Sequence, residues 1–86
     1  MNKIDIYTSS TCPYCIKAKK LLKTLGLIYE EHNIDDSFDE VTKELSEKYE
    51  RPIMTVPQII INEHYVGGYD DLEAMYKSGK LKEIIE

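Results

Sequence analysis

The chain has 86 residues, of which 42% are hydrophobic and 31% are charged, and its formal charge at neutral pH is -5. This size and composition are typical of a small globular protein, so we predict a single domain over residues 1–86 and exclude a disordered chain. A net negative charge gives no general attraction to nucleic-acid phosphates or anionic lipid, so neither a nucleic acid nor a membrane is an expected partner.

The amino end of the chain does not resemble an export signal. Met1, Asn2 and Lys3 lead directly into IDIYT, without a long apolar stretch or a small-residue cleavage site. The longest apolar run, VPQIII, is too short to cross a bilayer and is interrupted by proline and glutamine. We therefore expect a cytoplasmic protein, in which a purely structural disulfide would be unusual.

The first part of the chain predicts two strands around a helix. Apolar and polar residues alternate over residues 3–8, which is typical of a strand. From Pro13 onward apolar side chains recur at helical spacing, which predicts an amphipathic helix that Gly26 ends. Residues 27–35 are rich in β-forming types and predict a second strand.

The middle of the chain predicts a helix and a hairpin. Ser37 and Glu40 form a capping-box pattern ahead of a helix that reaches Tyr49. Two short apolar segments follow, residues 58–62 and residues 64–68, with turn-forming residues where they meet. We therefore expect two strands joined as a hairpin.

The last part of the chain predicts two helices. Asp70 and Glu73 repeat the capping pattern before a third helix, which Gly79 ends, and residues 80–86 predict a short final helix. The order is β-α-β-α-β-β-α plus that helix, and a right-handed crossover makes the first two strands parallel. The predicted fold class is therefore α/β, with a four-stranded mixed sheet and helices on both faces.

The two cysteines of the chain, Cys12 and Cys15, lie at the predicted start of the first helix. Pro13 suits the first helical position, which makes Cys12 the N-cap. Free backbone N–H groups and the helix dipole there favour a thiolate, which lowers the pKa of Cys12 below the usual value of about 8.5. Cys15 falls one turn later on the apolar face, so we expect Cys12 to attack and Cys15 to resolve in thiol–disulfide exchange.

Two other interpretations of the cysteine pair remain open at this point. A structural zinc site needs four ligands, and the remaining soft candidates, His32 and His64, are far apart in the sequence, so no metal is expected. Two buried structural cysteines would need apolar surroundings, yet SST precedes Cys12. The sequence therefore favours a redox pair over both alternatives.

Three segments of the sequence together resemble one known family. TCPYC opens a helix after a strand, TVPQIIIN spans residues 55–62, and VGGYDDL spans residues 66–72. In this order and with these elements between them, they resemble a dithiol glutaredoxin of the thioredoxin-like fold, over essentially the whole chain. The resemblance implies a glutathione-dependent thiol-disulfide oxidoreductase, with glutathione as a co-substrate and no permanently bound cofactor.

The resemblance also implies site residues, with Cys12 as the nucleophile and Cys15 as the resolving thiol. Pro57 is expected to follow a cis peptide bond, so that the Val56 backbone pairs with the cysteinyl part of glutathione. Asp70 is expected to accept a hydrogen bond from the ammonium group of glutathione. It lies at a helix start, whose free N–H groups are expected to bind the γ-glutamyl carboxylate of glutathione. The implied glutathione-binding residues are Tyr14, Thr55, Val56, Pro57, Gly68, Tyr69 and Asp70.

The sequence departs from the family at Ser9, where a lysine often stands that helps to hold the glycine carboxylate of glutathione. Arg51 is the candidate to replace that charge. His32 and His64 are expected at the surface or in the hairpin. Five tyrosines are expected to be core or half-buried packing residues: Tyr7, Tyr29, Tyr49, Tyr65 and Tyr76.

The resemblance leaves two rival functions and a set of expected partners. One rival is a thioredoxin-like electron donor served by a flavoprotein reductase, and the other is a carrier in which two chains hold an iron–sulfur cluster through Cys12 and glutathione. Pro13 argues against the carrier because it stiffens the loop. The expected partners are glutathione and proteins with disulfides or bound glutathione, including ribonucleotide reductase by resemblance, and the expected state is a monomer.

Overall fold

A computed structural model describes residues 2–85 and contains one sheet with four helices around it. The sheet order is β2-β1-β3-β4, with β1 parallel to β2 and antiparallel to β3, and β3 antiparallel to β4. The predicted element order and the mixed sheet are confirmed. The elements are β1 (Ile4–Thr8), α1 (Pro13–Thr24), β2 (Glu30–Asn33), α2 (Phe38–Tyr49), β3 (Gln58–Ile61), β4 (His64–Gly67), α3 (Tyr69–Ser78) and α4 (Leu81–Ile84).

Apolar side chains bury both faces of the sheet because β3 is apolar at successive positions. Ile59 and Ile61 join α1, α3 and α4 in one core, whereas Ile60 faces the other way and joins Leu45 of α2. Burying each such side chain contributes roughly 1.5–3 kcal/mol relative to exposure. Helices therefore cover both faces, as predicted. Among residues 2–85 no helix is both long enough and apolar enough to span a bilayer.

Several predicted element ends differ from the observed ones. The strand predicted over residues 27–35 is restricted to β2, because Gly26 at φ 73° turns the chain and the N–H of Leu27 still bonds back to α1. The hairpin strands are each one residue shorter than predicted. Asn62 and Glu63 both have positive φ, as a two-residue hairpin turn requires. The final helix, predicted over residues 80–86, is observed as α4 over Leu81–Ile84, and Glu86 lies outside the described residues.

The helix caps differ from the sequence prediction. Ser37 is the N-cap of α2, as expected, but its side chain makes no capping hydrogen bond. At α3 the cap was predicted at Asp70 with Glu73, and this is wrong. Gly68 is the N-cap, and the Asp71 carboxylate accepts the Gly68 N–H at 3.0 Å. The helix starts earlier because Gly67, at φ 115°, turns the chain in a conformation that glycine adopts most readily.

Two expectations for ring side chains are corrected. Tyr76 is 49% exposed and is not a packing residue, whereas the other four tyrosines of that group are half-buried. His64 is exposed as predicted, but His32 is half-buried. The parallel register sets His32 beside Tyr7, and the two rings stack with centroids 4.8 Å apart while His32 Nε2 lies 2.9 Å from Asp5 Oδ1.

Candidate active site

Cys12 stands at the start of α1, just beyond the loop that follows β1. Its backbone is extended, at φ -115° and ψ 100°, and Pro13 begins the helix. The backbone N–H of Cys15 donates to Cys12 Sγ at 3.0 Å. The Cys12 sulfur therefore caps the helix, where unpaired N–H groups and the helix dipole stabilise negative charge on it.

Cys12 and Cys15 form a disulfide in this structure, with their Cα atoms 5.2 Å apart. Cys15 is only 1% exposed, whereas Cys12 is partly exposed. The Cys12 sulfur is thus the one that an external disulfide or thiol can reach. This difference fits the predicted roles, in which Cys12 attacks and Cys15 resolves.

The segment before β3 crosses in front of Cys12. The Val56–Pro57 peptide bond is cis, as the sequence resemblance led us to expect. The carbonyl oxygen of Val56 lies 3.6 Å from Cys12 Sγ, and the next residue, Pro57, is buried. An extended ligand that pairs with the Val56 backbone would therefore bring its sulfur to Cys12.

A cleft with a volume of about 310 Å³ extends from this segment to the start of α3. Its walls bring together all seven residues predicted to bind glutathione, from three separate parts of the chain. The four other lining residues were not predicted for the site: Pro52, Gln58, Tyr65 and Asp71.

Gln58 is the most informative of the residues that the sequence prediction missed. Its side chain is buried, with the residue 4% exposed, and its amide donates to the Thr55 carbonyl at 2.9 Å. The Gln58 Oε1 atom also accepts a hydrogen bond from the Tyr65 hydroxyl at 2.5 Å. Burial is the main cause that raises the pKa of Tyr65, which keeps its hydroxyl a donor. A polar residue that opens an apolar strand was the available sequence signal.

The start of α3 forms the far end of the cleft. Asp70 is exposed and lines the cleft, whereas Asp71 is occupied in capping. The N–H groups of the first helical turn have no partner within a helix, so they are available to an anion. A Cβ at Gly68 would lie 3.6 Å from the Pro57 carbonyl oxygen, an ordinary van der Waals distance, so the start of α3 and the segment before β3 are direct neighbours.

The charges near the cleft are arranged differently from the family pattern. Ser9, where a lysine was expected, donates from its hydroxyl to Asp35 at 2.8 Å. The Arg51 guanidinium carbon lies 4.7 Å from the ring centroid of Tyr65, which itself lines the cleft. Lys17 Nζ lies 5.1 Å from the ring centroid of Tyr14. Two cations are thus held on rings that form the cleft wall.

The reactive pair and its surroundings define a class of protein. An accessible sulfur that can form a disulfide with a buried neighbour exchanges with other thiols and disulfides. The mixed sheet with helices on both faces is the thioredoxin-like fold. The protein is therefore a thiol-disulfide oxidoreductase of that fold.

Comparison with known proteins narrows the class to a family. The glutaredoxin family model matches residues 4–66. The chain is 43% identical to glutaredoxin 1 of Rickettsia prowazekii, covering 100% of this chain and 90% of that one. It is 44% identical to a glutaredoxin of Pseudomonas aeruginosa, covering 99% and 98%. A buckwheat glutaredoxin, solved as a glutathione complex, is 27% identical with a TM-score of 0.83, covering 96% of this chain and 76% of that one.

The chain belongs to the glutaredoxin family. It is an enzyme, a glutathione-dependent thiol-disulfide oxidoreductase, as the sequence resemblance implied. The matches favour neither of the rival functions, the flavoprotein-served electron donor and the iron–sulfur cluster carrier.

Proposed function

We propose that Cys12 removes glutathione from mixed disulfides in two exchange steps. The Cys12 thiolate attacks the glutathione sulfur, forms a Cys12–glutathione disulfide and releases the other partner as a thiolate. A second glutathione thiolate then attacks the glutathione sulfur on Cys12, which leaves glutathione disulfide and regenerates the Cys12 thiolate. The observation that carries this proposal is the accessible Cys12 sulfur at a helix start, 3.6 Å from the Val56 carbonyl.

Cys15 serves a second route, the reduction of protein disulfides. Cys12 attacks one sulfur of the substrate disulfide, and Cys15 then attacks Cys12 to release the substrate with both thiols reduced. The product is the Cys12–Cys15 disulfide, the form present in this structure. Two glutathione molecules reduce it, giving glutathione disulfide and restoring both cysteine thiols.

Glutathione occupies the cleft in an extended form in this proposal. Its cysteinyl backbone pairs with Val56, its γ-glutamyl carboxylate meets the N–H groups of Tyr69 and Asp70, and its ammonium group meets the Asp70 carboxylate. Tyr14, Thr55, Pro57 and Gly68 complete the walls. The proposal is supported by the common cleft that these residues line and by the glutathione complex of the buckwheat relative.

Arg51 is the proposed partner of the glycine carboxylate of glutathione. Ser9 is held by Asp35 and carries no charge, so it cannot replace the missing lysine. Arg51 is exposed but rests on the Tyr65 ring at the wall of the cleft. A guanidinium held there suits a carboxylate because it offers paired N–H donors.

The wider setting of the enzyme is also proposed. Glutathione acts as a co-substrate, and no cofactor stays bound. The protein substrates carry disulfides or bound glutathione, with ribonucleotide reductase as one candidate from the family resemblance. The chain acts as a monomer of one domain in the cytoplasm, and its charge of -5 supports neither nucleic acid nor membrane as a partner.

A coupled assay tests the two routes. Wild-type protein, Cys12→Ser and Cys15→Ser are each given glutathione, glutathione reductase, NADPH and a small glutathione mixed disulfide. We expect Cys12→Ser to abolish NADPH consumption above the uncatalysed rate and Cys15→Ser to retain it, because the first route does not use Cys15. With a protein disulfide as substrate, both variants should lose activity. Equal loss in both variants with the mixed disulfide would contradict the proposed roles.

A further inference from the structure

The loop of residues 9–11 connects β1 to Cys12 at the start of α1, and it is not packed into the hydrophobic core. Ser10 and Thr11 are exposed and Ser9 is only partly buried. Thr8, just before the loop, is 1% exposed, so the chain passes from the core to the surface directly after β1. Packing therefore does not fix its position, and other interactions have to do so.

Asp35, just beyond β2, holds this loop through one carboxylate. Oδ1 accepts from Ser9 Oγ at 2.8 Å and from the Ser10 backbone N–H at 3.1 Å. Oδ2 accepts a close hydrogen bond from Ser10 Oγ. The Asn33 side chain completes the arrangement. Its Nδ2 group donates to Ser10 Oγ at 3.1 Å, and its Oδ1 atom accepts from the backbone N–H of Asp35 at 2.9 Å.

The carboxylate is the charged partner in these bonds and remains ionised at neutral pH. Hydrogen bonds from Ser10 and then Ser9 lower the pKa of Asp35 to about 2. Charge-assisted hydrogen bonds of this type are roughly twice as strong as neutral ones. Asp35 lines a small surface groove together with three other acids, Asp36, Asp39 and Glu40. Within residues 2–85 the Asp36 carboxylate has neither a hydrogen-bond nor an ion-pair partner, so it differs from Asp35 in contacts and not in charge.

We propose that Asp35 is a positioning residue for exchange at Cys12, because its carboxylate tethers the loop from which Cys12 enters α1. This inference rests on the proposed role of Cys12 as the reacting thiol. When the tether is lost, the loop moves and carries Cys12 Sγ away from the Cys15 N–H and the Val56 carbonyl. Asp35 does not line the glutathione cleft, so the effect belongs to the exchange step and not to glutathione binding.

Four single variants of the enzyme separate the tether from the charge in the coupled assay with a glutathione mixed disulfide. Asp35→Ala removes both the hydrogen bonds to the loop and the negative charge. Ser10→Ala removes one donor side chain and keeps the carboxylate. Asp35→Asn removes the charge but keeps the bonds, because its oxygen can accept from Ser9 and Ser10 and its amide can donate to Ser10 Oγ. Asp36→Ala is the matched control, one position away, with the same loss of charge and no loss of contacts.

We expect Asp35→Ala to lower kcat about tenfold with an unchanged KM for glutathione, which is less than the roughly hundredfold cost of a 1 Å misplacement. Ser10→Ala should show a smaller fall in kcat. Asp35→Asn should fall between Asp35→Ala and wild type, because its hydrogen bonds are kept but are neutral and therefore weaker, and Asp36→Ala should match wild type. The melting temperature of each variant establishes that it is folded at the assay temperature.

Three kinds of result would overturn the proposal. The proposal is overturned if folded Asp35→Asn is as slow as Asp35→Ala or if Asp36→Ala is as slow as Asp35→Ala. It is also overturned if Asp35→Ala raises the KM for glutathione and leaves kcat unchanged. If Asp35→Ala does not fold, Ser10→Ala decides: a fall in kcat supports the tether, and a wild-type kcat overturns it. Cys12→Ser in the same assay separates these outcomes from failure of the proposed function, since residual activity in Cys12→Ser would show that Cys12 is not the reacting thiol.

Discussion

Two segments meet at Cys12 and are held there by different forces. The loop of residues 9–11 is exposed and depends on hydrogen bonds to one surface carboxylate, Asp35. The segment from Thr55 to Gln58 ends in buried residues, and an internal amide fixes its backbone. Water can replace the hydrogen bonds of an exposed loop but not those of a buried one. The first segment should therefore affect rate more than stability, and the second should affect both.

The largest expected effect comes from the buried segment. Gln58→Leu leaves the Thr55 carbonyl and the Tyr65 hydroxyl without their partner, which should lower the free energy of unfolding by about 2 kcal/mol. Denaturant unfolding of the reduced protein measures this loss, and the KM for glutathione should rise in the same variant.

Ser10→Ala is the counterpart of Gln58→Leu in the exposed loop. We expect it to change the free energy of unfolding by less than about 0.5 kcal/mol, because the groups that it frees are open to solvent. Equal destabilisation by the two substitutions would remove the distinction between the two segments.

A smaller effect is expected at the edge of the cleft. Arg51→Ala should raise the KM for glutathione about threefold and leave kcat unchanged, since an exposed charge contact contributes less than about 1 kcal/mol. Steady-state kinetics at varied glutathione measures it. Lys48→Ala is a matched control because Lys48 also lies over a tyrosine ring, 5.5 Å from the centroid of Tyr49, which does not line the cleft. An unchanged KM in Arg51→Ala would assign the glycine carboxylate to another partner.

The smallest effect concerns pH. The pKa of Asp35 is lowered from 3.8 to about 2 in the folded protein, chiefly by hydrogen bonds from Ser10, so its ionised form contributes stability above the unfolded value. That contribution is lost as the pH falls from 3.8 through about 2. The stability difference between wild type and Asp35→Asn should therefore shrink over that range in denaturant unfolding. A difference that stayed constant down to pH 2 would mean that the Asp35 charge is not involved.

Much of the fold was predictable because local signals and tertiary packing agree. The apolar spacing from Pro13 and the glycine at residue 26 predict α1, and the resemblance of residues 55–62 led to the cis bond before Pro57. The cap of α3 was mispredicted because sequence patterns favour a polar side chain at the N-cap, whereas Gly68 is the N-cap in the structure and the Asp71 carboxylate accepts its N–H. The turn at Gly67, which sets this earlier start, is not apparent from the capping pattern.

The contacts that hold the site were less accessible from sequence. Asp35 lies 26 positions from Ser9, and their hydrogen bond depends on the pairing of β1 with β2. Gln58 is marked in the sequence only as a polar residue that opens an apolar strand, and its role depends on the fold, which buries its amide against Thr55. Motifs thus indicated which residues react, whereas the residues that position them depend on tertiary structure.

The assignment of Cys12 as the thiol that receives glutathione is the central claim, and mass spectrometry tests it directly. Reduced Cys15→Ser and Cys12→Ser are each incubated with glutathione disulfide, and the intact masses and modified peptides are measured. We predict that Cys15→Ser gains one glutathione, on Cys12, and that Cys12→Ser gains none over the same time because Cys15 is buried. Faster modification of Cys15 than of Cys12 would contradict the account.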